Sequence, residues 1–214
     1  ARLVYVSGGG THTINIENAT FTNNSVKGCG AIFLMDQSNA GNASAINVYG
    51  GTFTDNACLL SSTSYGSGSI ARLKSPGALH FYGGTFANNT TAAGKNYEGI
   101  YLRDVSQKLG SNVYVHKLSA DLNVYLTPSS AKVFMSRIVV DSALTHTISV
   151  YIADNRVPAK GMPLVVGTDE GGLTHPDWQE NLANALKVQA LLNRSAPGLC
   201  RNLDLRTERF NQHE

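Results

Sequence analysis

Three windows of the chain alternate apolar and polar positions in the same way and overlay without a gap: residues 13–25 (TINIENATFTNNS), 45–57 (AINVYGGTFTDNA) and 78–90 (ALHFYGGTFANNT). Ile14 and Ile16, Ile46 and Val48, and Leu79 and Phe81 are the apolar pairs, with Asn15, Asn47 and His80 between them. A period of two is the signature of a strand with one buried face. Phe21, Phe53 and Phe86 share one column, preceded by Thr20, Thr52 and Thr85. Asn24, Asn56 and Asn89 follow three positions later, and the copies are spaced by 32 and 33 residues. A shorter apolar element follows each window: GAIFL at 30–34, SIARL at 69–73 and GIYLR at 99–103. RLVYV at 2–6 reads as the same element one repeat earlier. Strands that recur at a fixed period, with no helical segment between copies, predict stacked coils whose like strands pair in parallel, a β-solenoid. In such a stack the Phe column becomes an internal pile of rings. The Asn column becomes an amide ladder at a tight turn, satisfying backbone groups that the turn leaves open. Gly50-Gly51 and Gly83-Gly84 share columns with Asn18-Ala19, where positive φ or close backbone approach is expected.

Beyond residue 111 the motif stops but strand-like stretches continue at 112–115, 122–126, 132–135, 137–140 and 147–152. Residues 174–192 change period. Asp177 and Glu180 form a capping box after Pro176, and Trp178, Leu182, Leu186 and Leu191 make an apolar stripe at helical spacing. A helix is expected over about 177–192, lying as a lid on the last coil. The expected organisation is a solenoid over 1–170 and a helix and cap segment over 171–214. The chain opens directly into RLVYV with no capping segment, so a fragment of a longer protein is expected.

Composition narrows the function. Charged residues are 15% of 214, the formal net charge is +2, and Lys and Arg form no cluster, so no nucleic-acid partner is expected. The uncharged stretches are rich in Ser, Asn and Gly, and no membrane span is expected. Cys29, Cys58 and Cys200 make no CxxC pair and have no histidine at ligand spacing, so they are expected to be buried thiols rather than a zinc site.

The repeat resembles the right-handed parallel β-helix repeats of bacterial surface proteins and autotransporters. It is most similar to the polymorphic outer-membrane-protein type, whose theme is Phe-x-x-Asn followed by a Gly-Gly-Ala-Ile-like strand. Phe21-Thr22-Asn23-Asn24 and Gly30-Ala31-Ile32 carry that theme best, and the resemblance covers roughly residues 1–105. The segment 123–166 also looks like the tail that follows such coils in Firmicutes-type surface proteins. The resemblance implies an all-β, right-handed parallel β-helix with a short C-terminal helical cap. It implies an extracellular or cell-surface segment acting as adhesin or stalk scaffold, with glycans or a host or cell-surface protein as partners.

Two other classes stand beside that expectation. One is a carbohydrate-active enzyme, a polysaccharide lyase or glycoside hydrolase, with a cleft formed by the loops at 35–44, 58–68 and 91–98. The other is a self-assembling structural protein. Lyases and hydrolases need clustered acids, and the first 105 residues hold only Glu17, Asp36, Asp55, Glu98 and Asp104, all in different columns. No catalytic residue, cofactor or metal is therefore assigned, although Asp154-Asn155 and Asp169-Glu170 before Gly171-Gly172 have the composition of a calcium loop or a solvated turn. His80, His116 and His146 are expected to be separate surface residues. Tyr49 and Tyr82 share an outward column, with Asn47 and His80 beside them, and are the candidate glycan contacts. The six Asn-x-Ser/Thr sequons, at Asn18, Asn23, Asn42, Asn88, Asn89 and Asn193, follow from an Asn- and Thr-rich repeat as readily as from glycosylation.

Overall fold

A computed structural model describes residues 3–28, 30, 32–37, 39, 41, 43–61, 68–93, 98–106, 109–127, 135–140, 146–152, 165–167 and 186–190. The first repeat contributes β1 (Val4–Ser7), β2 (Thr13–Ile16), β3 (Ala19–Thr22) and β4 (Ser25–Val26). The second contributes β5 (Phe33–Asp36), β6 (Ala45–Val48), β7 (Gly51–Thr54) and β8 (Ala57–Cys58). The third contributes β9 (Ala71–Lys74), β10 (Ala78–Phe81), β11 (Thr85–Ala87) and β12 (Thr90–Thr91). Thereafter β13 (Ile100–Arg103), β15 (Leu122–Thr127), β17 (Ile148–Ile152) and β19 (Leu186–Ala190) alternate with β14 (Asn112–Val115), β16 (Arg137–Val140) and β18 (Val165–Gly167).

The described residues are all-β, and every strand pairing is parallel. The sheets have orders β1-β5-β9-β13-β15-β17-β19, β18-β16-β14-β10-β6-β2, β11-β7-β3 and β12-β8-β4. Each repeat thus places one strand in each of four sheets before the chain returns to the first, a topology compatible with a parallel β-helix. After β13 the chain passes from the first sheet to the second and back, and the third and fourth sheets gain no further strand among the described residues. The register follows the sequence columns: Ile14, Ile46 and Leu79 align, as do Phe21, Phe53 and Phe86.

Inward positions of the first, second and third sheets form one core that includes Phe33, Met35, Ile46, Val48, Phe53, Leu73, Leu79, Leu102 and Val113. On the opposite face of the first sheet Leu34, Arg72, Tyr101 and Tyr125 are buried as well, so its middle strands are covered on both sides, as parallel sheets commonly are, while Tyr5 on the outermost strand is exposed. Nearly all of the segment 171–214 lies outside the described residues. Of the helix expected over 177–192, residues 177–185 and 191–192 are among those outside. Leu186–Ala190 form β19, with Val188 opposite Val150. The sequence LKVQA alternates with period two and also falls on the helical stripe, so both periods fit it.

Candidate functional site

The corner that turns the chain from the third sheet to the fourth is built by three stacked columns. Phe53 is fully buried, with ring centroids 5.5 Å from Phe21 and 4.6 Å from Phe86; Phe21 and Phe86 are half-buried. Asn23, Asp55 and Asn88 occupy the position before the amide column and sit in the left-handed region, at φ 55°, 57° and 53°. Asn and Asp tolerate that conformation better than other side chains, so the turn needs no glycine there. Positive φ also occurs at Gly51 (115°) and Gly84 (96°), while Ala19 in the same column is not among the positive-φ residues. A Cβ on Gly50 or Gly83 would come within 2.6 or 2.5 Å of a carbonyl oxygen of the preceding repeat, Glu17 O or Tyr49 O.

The amide ladder runs in one direction. Asn24 donates its backbone N–H (3.2 Å) and its Nδ2 (2.9 Å) to Asn56 Oδ1. Asn56 donates the same two groups to Asn89 Oδ1, at 3.1 and 3.0 Å. The remaining Nδ2 protons go back one repeat, from Asn56 to Phe21 O at 2.9 Å and from Asn89 to Phe53 O at 2.8 Å. A second polar ladder, not anticipated from the sequence, lies between the first and second sheets. Ser75 N donates to Ser111 Oγ, Ser111 N to Ser136 Oγ, and Ser136 Oγ to the buried Asp104 carboxylate, which also accepts the Met135 and Ser136 N–H groups.

The outward face of the second sheet carries the candidate contact residues. Asn47 Nδ2 donates to Asn15 Oδ1 at 2.8 Å. Tyr49 and Tyr82, 47% and 38% exposed, stack with centroids 4.8 Å apart and planes 11° apart. The next strand extends this ladder. Because Ala78 pairs with Asn112, His116 falls on Tyr82 and Tyr114 on His80. His116 stacks on Tyr82 at 4.0 Å and Tyr114 on His80 at 4.3 Å, each within 4° of parallel. His80 Nδ1 and His116 Nε2 are 3.2 Å apart, with ring centroids 5.5 Å apart and planes 8° apart. Two imidazoles reach that centroid separation at that N···N distance only when they lie in line in a common plane. The rings therefore meet head-on in the geometry of an N–H···N hydrogen bond, with donor and acceptor set by the tautomers. The two histidines thus form one unit rather than separate surface residues. The signal was the offset of 34 between His80-Phe81-Tyr82 and Tyr114-Val115-His116.

Chemically this face offers ring edges, phenol hydroxyls, amides and an imidazole pair. The flat faces of Tyr82 are occupied by Tyr49 on one side and His116 on the other. Glu17 follows the register onto this face, next to Tyr49, and three of the other described carboxylates are engaged elsewhere. Asp36 pairs with Arg72 at 3.1 Å and Lys74 at 3.7 Å, Asp55 accepts from Asn88 Nδ2, and Asp104 holds the turn at Ser136. Among the described residues no three His, Cys, Asp or Glu side chains are grouped to hold a metal ion, and no helix is long and apolar enough to cross a membrane. His146 lies 3.9 Å from Asp121. Cys58 is buried with Sγ 3.1 Å from Gly28 O, while Cys29 and Cys200 fall outside the described residues. So do Asp154, Asn155, Asp169, Glu170 and, from the three loops expected to line a cleft, residues 38, 40, 42, 62–67 and 94–97. No protein-family model matches the chain, and neither a curated protein nor a solved structure matches it.

Proposed function

We propose that this chain is a right-handed parallel β-helix that serves as a non-enzymatic scaffold at a cell surface or outside the cell, in the manner of an adhesin or stalk. The observation that carries this reading is the use made of its polar side chains. Asn24, Asn56 and Asn89, with Ser75, Ser111, Ser136 and the buried Asp104, are bonded in ladders along the stack, and among the other described carboxylates Asp36 and Asp55 pair with groups beside them. Such ladders hold successive rounds in register and give a stiff rod, which a stalk requires. A hydrolytic or eliminative site requires the opposite, uncommitted acids converging on one point.

Glycan contact on the face of Tyr49, Tyr82, Asn47 and His80 belongs to the same proposal, with its mode altered by the stacking. A sugar cannot lie flat on Tyr82, because both ring faces are covered. It meets ring edges, hydroxyls and the Asn15–Asn47 amides instead, a shallow contact that buries little area and is weak as a single site. Adhesion would then depend on many copies acting together. Titration of the isolated chain against a glycan panel should give at best millimolar binding, lost in the double variant Tyr49→Ala/Tyr82→Ala. Incubation with pectin, alginate or xylan should release neither reducing ends nor unsaturated sugars. Turnover of any of them sinks the scaffold reading.

A further inference from the structure

Two imidazoles that meet head-on are also two metal ligands aimed at one point. His80 Nδ1 and His116 Nε2 lie 3.2 Å apart with ring centroids 5.5 Å apart, so the in-plane lone-pair directions of the two nitrogens run nearly along the line that joins them. A neutral imidazole carries its proton on either nitrogen. Both rings can therefore present a bare nitrogen to that line, each with its N–H on the far side. Starting from two neutral rings, one changes tautomer and no proton leaves the pair.

Geometry selects the cation. Bonds from a metal to imidazole nitrogen run about 2.0–2.1 Å. A tetrahedral ion would accept the present N···N separation, but it lies off the line, and each lone pair would have to swing by about 35° to reach it. Turning a ring that far about its ligating nitrogen carries its attachment carbon about 1 Å, against strands whose register is fixed by the pairing of β10 with β14. A two-coordinate ion on the line needs only that the nitrogens part to about 4 Å, so each ring slides about 0.4 Å within its own plane. The stacking permits that movement. His116 lies on Tyr82 with centroids 4.0 Å apart and His80 on Tyr114 at 4.3 Å, each within 4° of parallel. A short slide keeps both face contacts. Imidazole is a ligand that copper accepts, and monovalent ions with a filled d shell take two collinear ligands.

We infer that His80 Nδ1 and His116 Nε2 form a linear two-coordinate site for a monovalent d10 cation, copper(I) or silver(I). The bound ion joins neighbouring strands of the second sheet, β10 and β14, and so acts as a staple between successive rounds. Because it binds the folded pairing and not a separated one, it stabilises the chain by mass action. The site is independent of the scaffold and glycan readings.

The probe is silver(I) nitrate, which needs no reductant, titrated in chloride-free buffer into the 15N-labelled full chain. Accessible thiols are alkylated first, because silver also binds thiolate and the chain has three cysteines. Imidazole 15N shifts report each ring separately. The expected result is that His80 Nδ1 and His116 Nε2 move together and saturate at one equivalent, before His12, His146, His175 or His213 respond, and that the thermal midpoint rises. Binding should weaken as the pH falls, since protons compete for the same two nitrogens. His116→Phe, which keeps a ring on Tyr82, and His80→Phe, which keeps one on Tyr114, should each bind at least tenfold more weakly. Zinc(II) should also bind at least tenfold more weakly than silver(I). Movement of one ring alone, or saturation that leaves both rings unmoved, would overturn the inference in the parent chain without any variant. Unchanged affinity in the Phe variants would do the same, and zinc(II) binding as tightly as silver(I) would replace the linear site by a tetrahedral one.

Discussion

At the residue scale, one side chain closes each column, and its neighbours set the consequence of losing it. Phe53 is enclosed by Phe21, Phe86 and Phe33. Phe53→Ala should cost about 3–5 kcal/mol in urea unfolding through the cavity left behind, and Phe21→Ala should cost clearly less because its ring is half-exposed. Equal losses at the two positions would contradict the burial of Phe53. Asn56→Leu removes the acceptor of two Asn24 donors and the donor to Phe21 O and Asn89 Oδ1. Stranded buried polar groups cost roughly 1–3 kcal/mol each, so this variant should lower the unfolding free energy by about 3 kcal/mol or more, while Asn47→Leu on the exposed face should change it little. The Phe and Asn columns were legible because three gapless copies expose them. The left-handed turn column was not. Positive φ or close approach was expected in the columns of Gly50-Gly51 and Gly83-Gly84, yet Asn23, Asp55 and Asn88 in another column also adopt positive φ, and their identity as Asn, Asp and Asn was the available signal. The serine ladder was hidden because Ser75, Ser111 and Ser136 are spaced irregularly, by 36 and 25 residues.

At the scale of the element, the strands of the second sheet bring together residues that no sequence window joins. The last gapless window is 78–90, but β10 and β14 still pair in register, which places His116 on Tyr82 and beside His80. The histidines looked isolated because the Phe-x-x-Asn landmark is absent from the fourth copy. The head-on imidazole pair leads to a spectroscopic expectation. The 15N spectrum of histidine side chains should show one N–H shared between the rings, with coupling across the hydrogen bond. That signal should vanish in His116→Phe, which keeps a ring on Tyr82. Because the bond lies on a partly exposed face, the variant should lose no more than about 1 kcal/mol. Two independent imidazole signals in the parent protein would argue against the pair. The segment 186–190 shows the limit of period as a guide: five residues satisfied both a helical stripe and an alternating strand, and in the structure they pair with β17.

At the scale of the whole molecule, the described residues change from four sheets over the first three repeats to two thereafter. Each repeat touches only its neighbours in the stack, so stability accumulates interface by interface. Residues 45–77 are bounded by equivalent positions, because Ala45 pairs with both Thr13 and Ala78. Excising that segment would seat β10 on β2, β11 on β3, β12 on β4 and β13 on β5, with Phe86 over Phe21 and Asn89 over Asn24. The deletion variant should fold cooperatively, with a smaller denaturant slope than the parent because less surface is exposed on unfolding. A loss of cooperative unfolding would show that the second repeat is not interchangeable. In genetic terms, unequal crossing-over that removes or duplicates one such unit leaves every remaining register intact. The fold registers it as a change in length, which makes the number of repeats a quantity that selection can adjust without inventing a new residue.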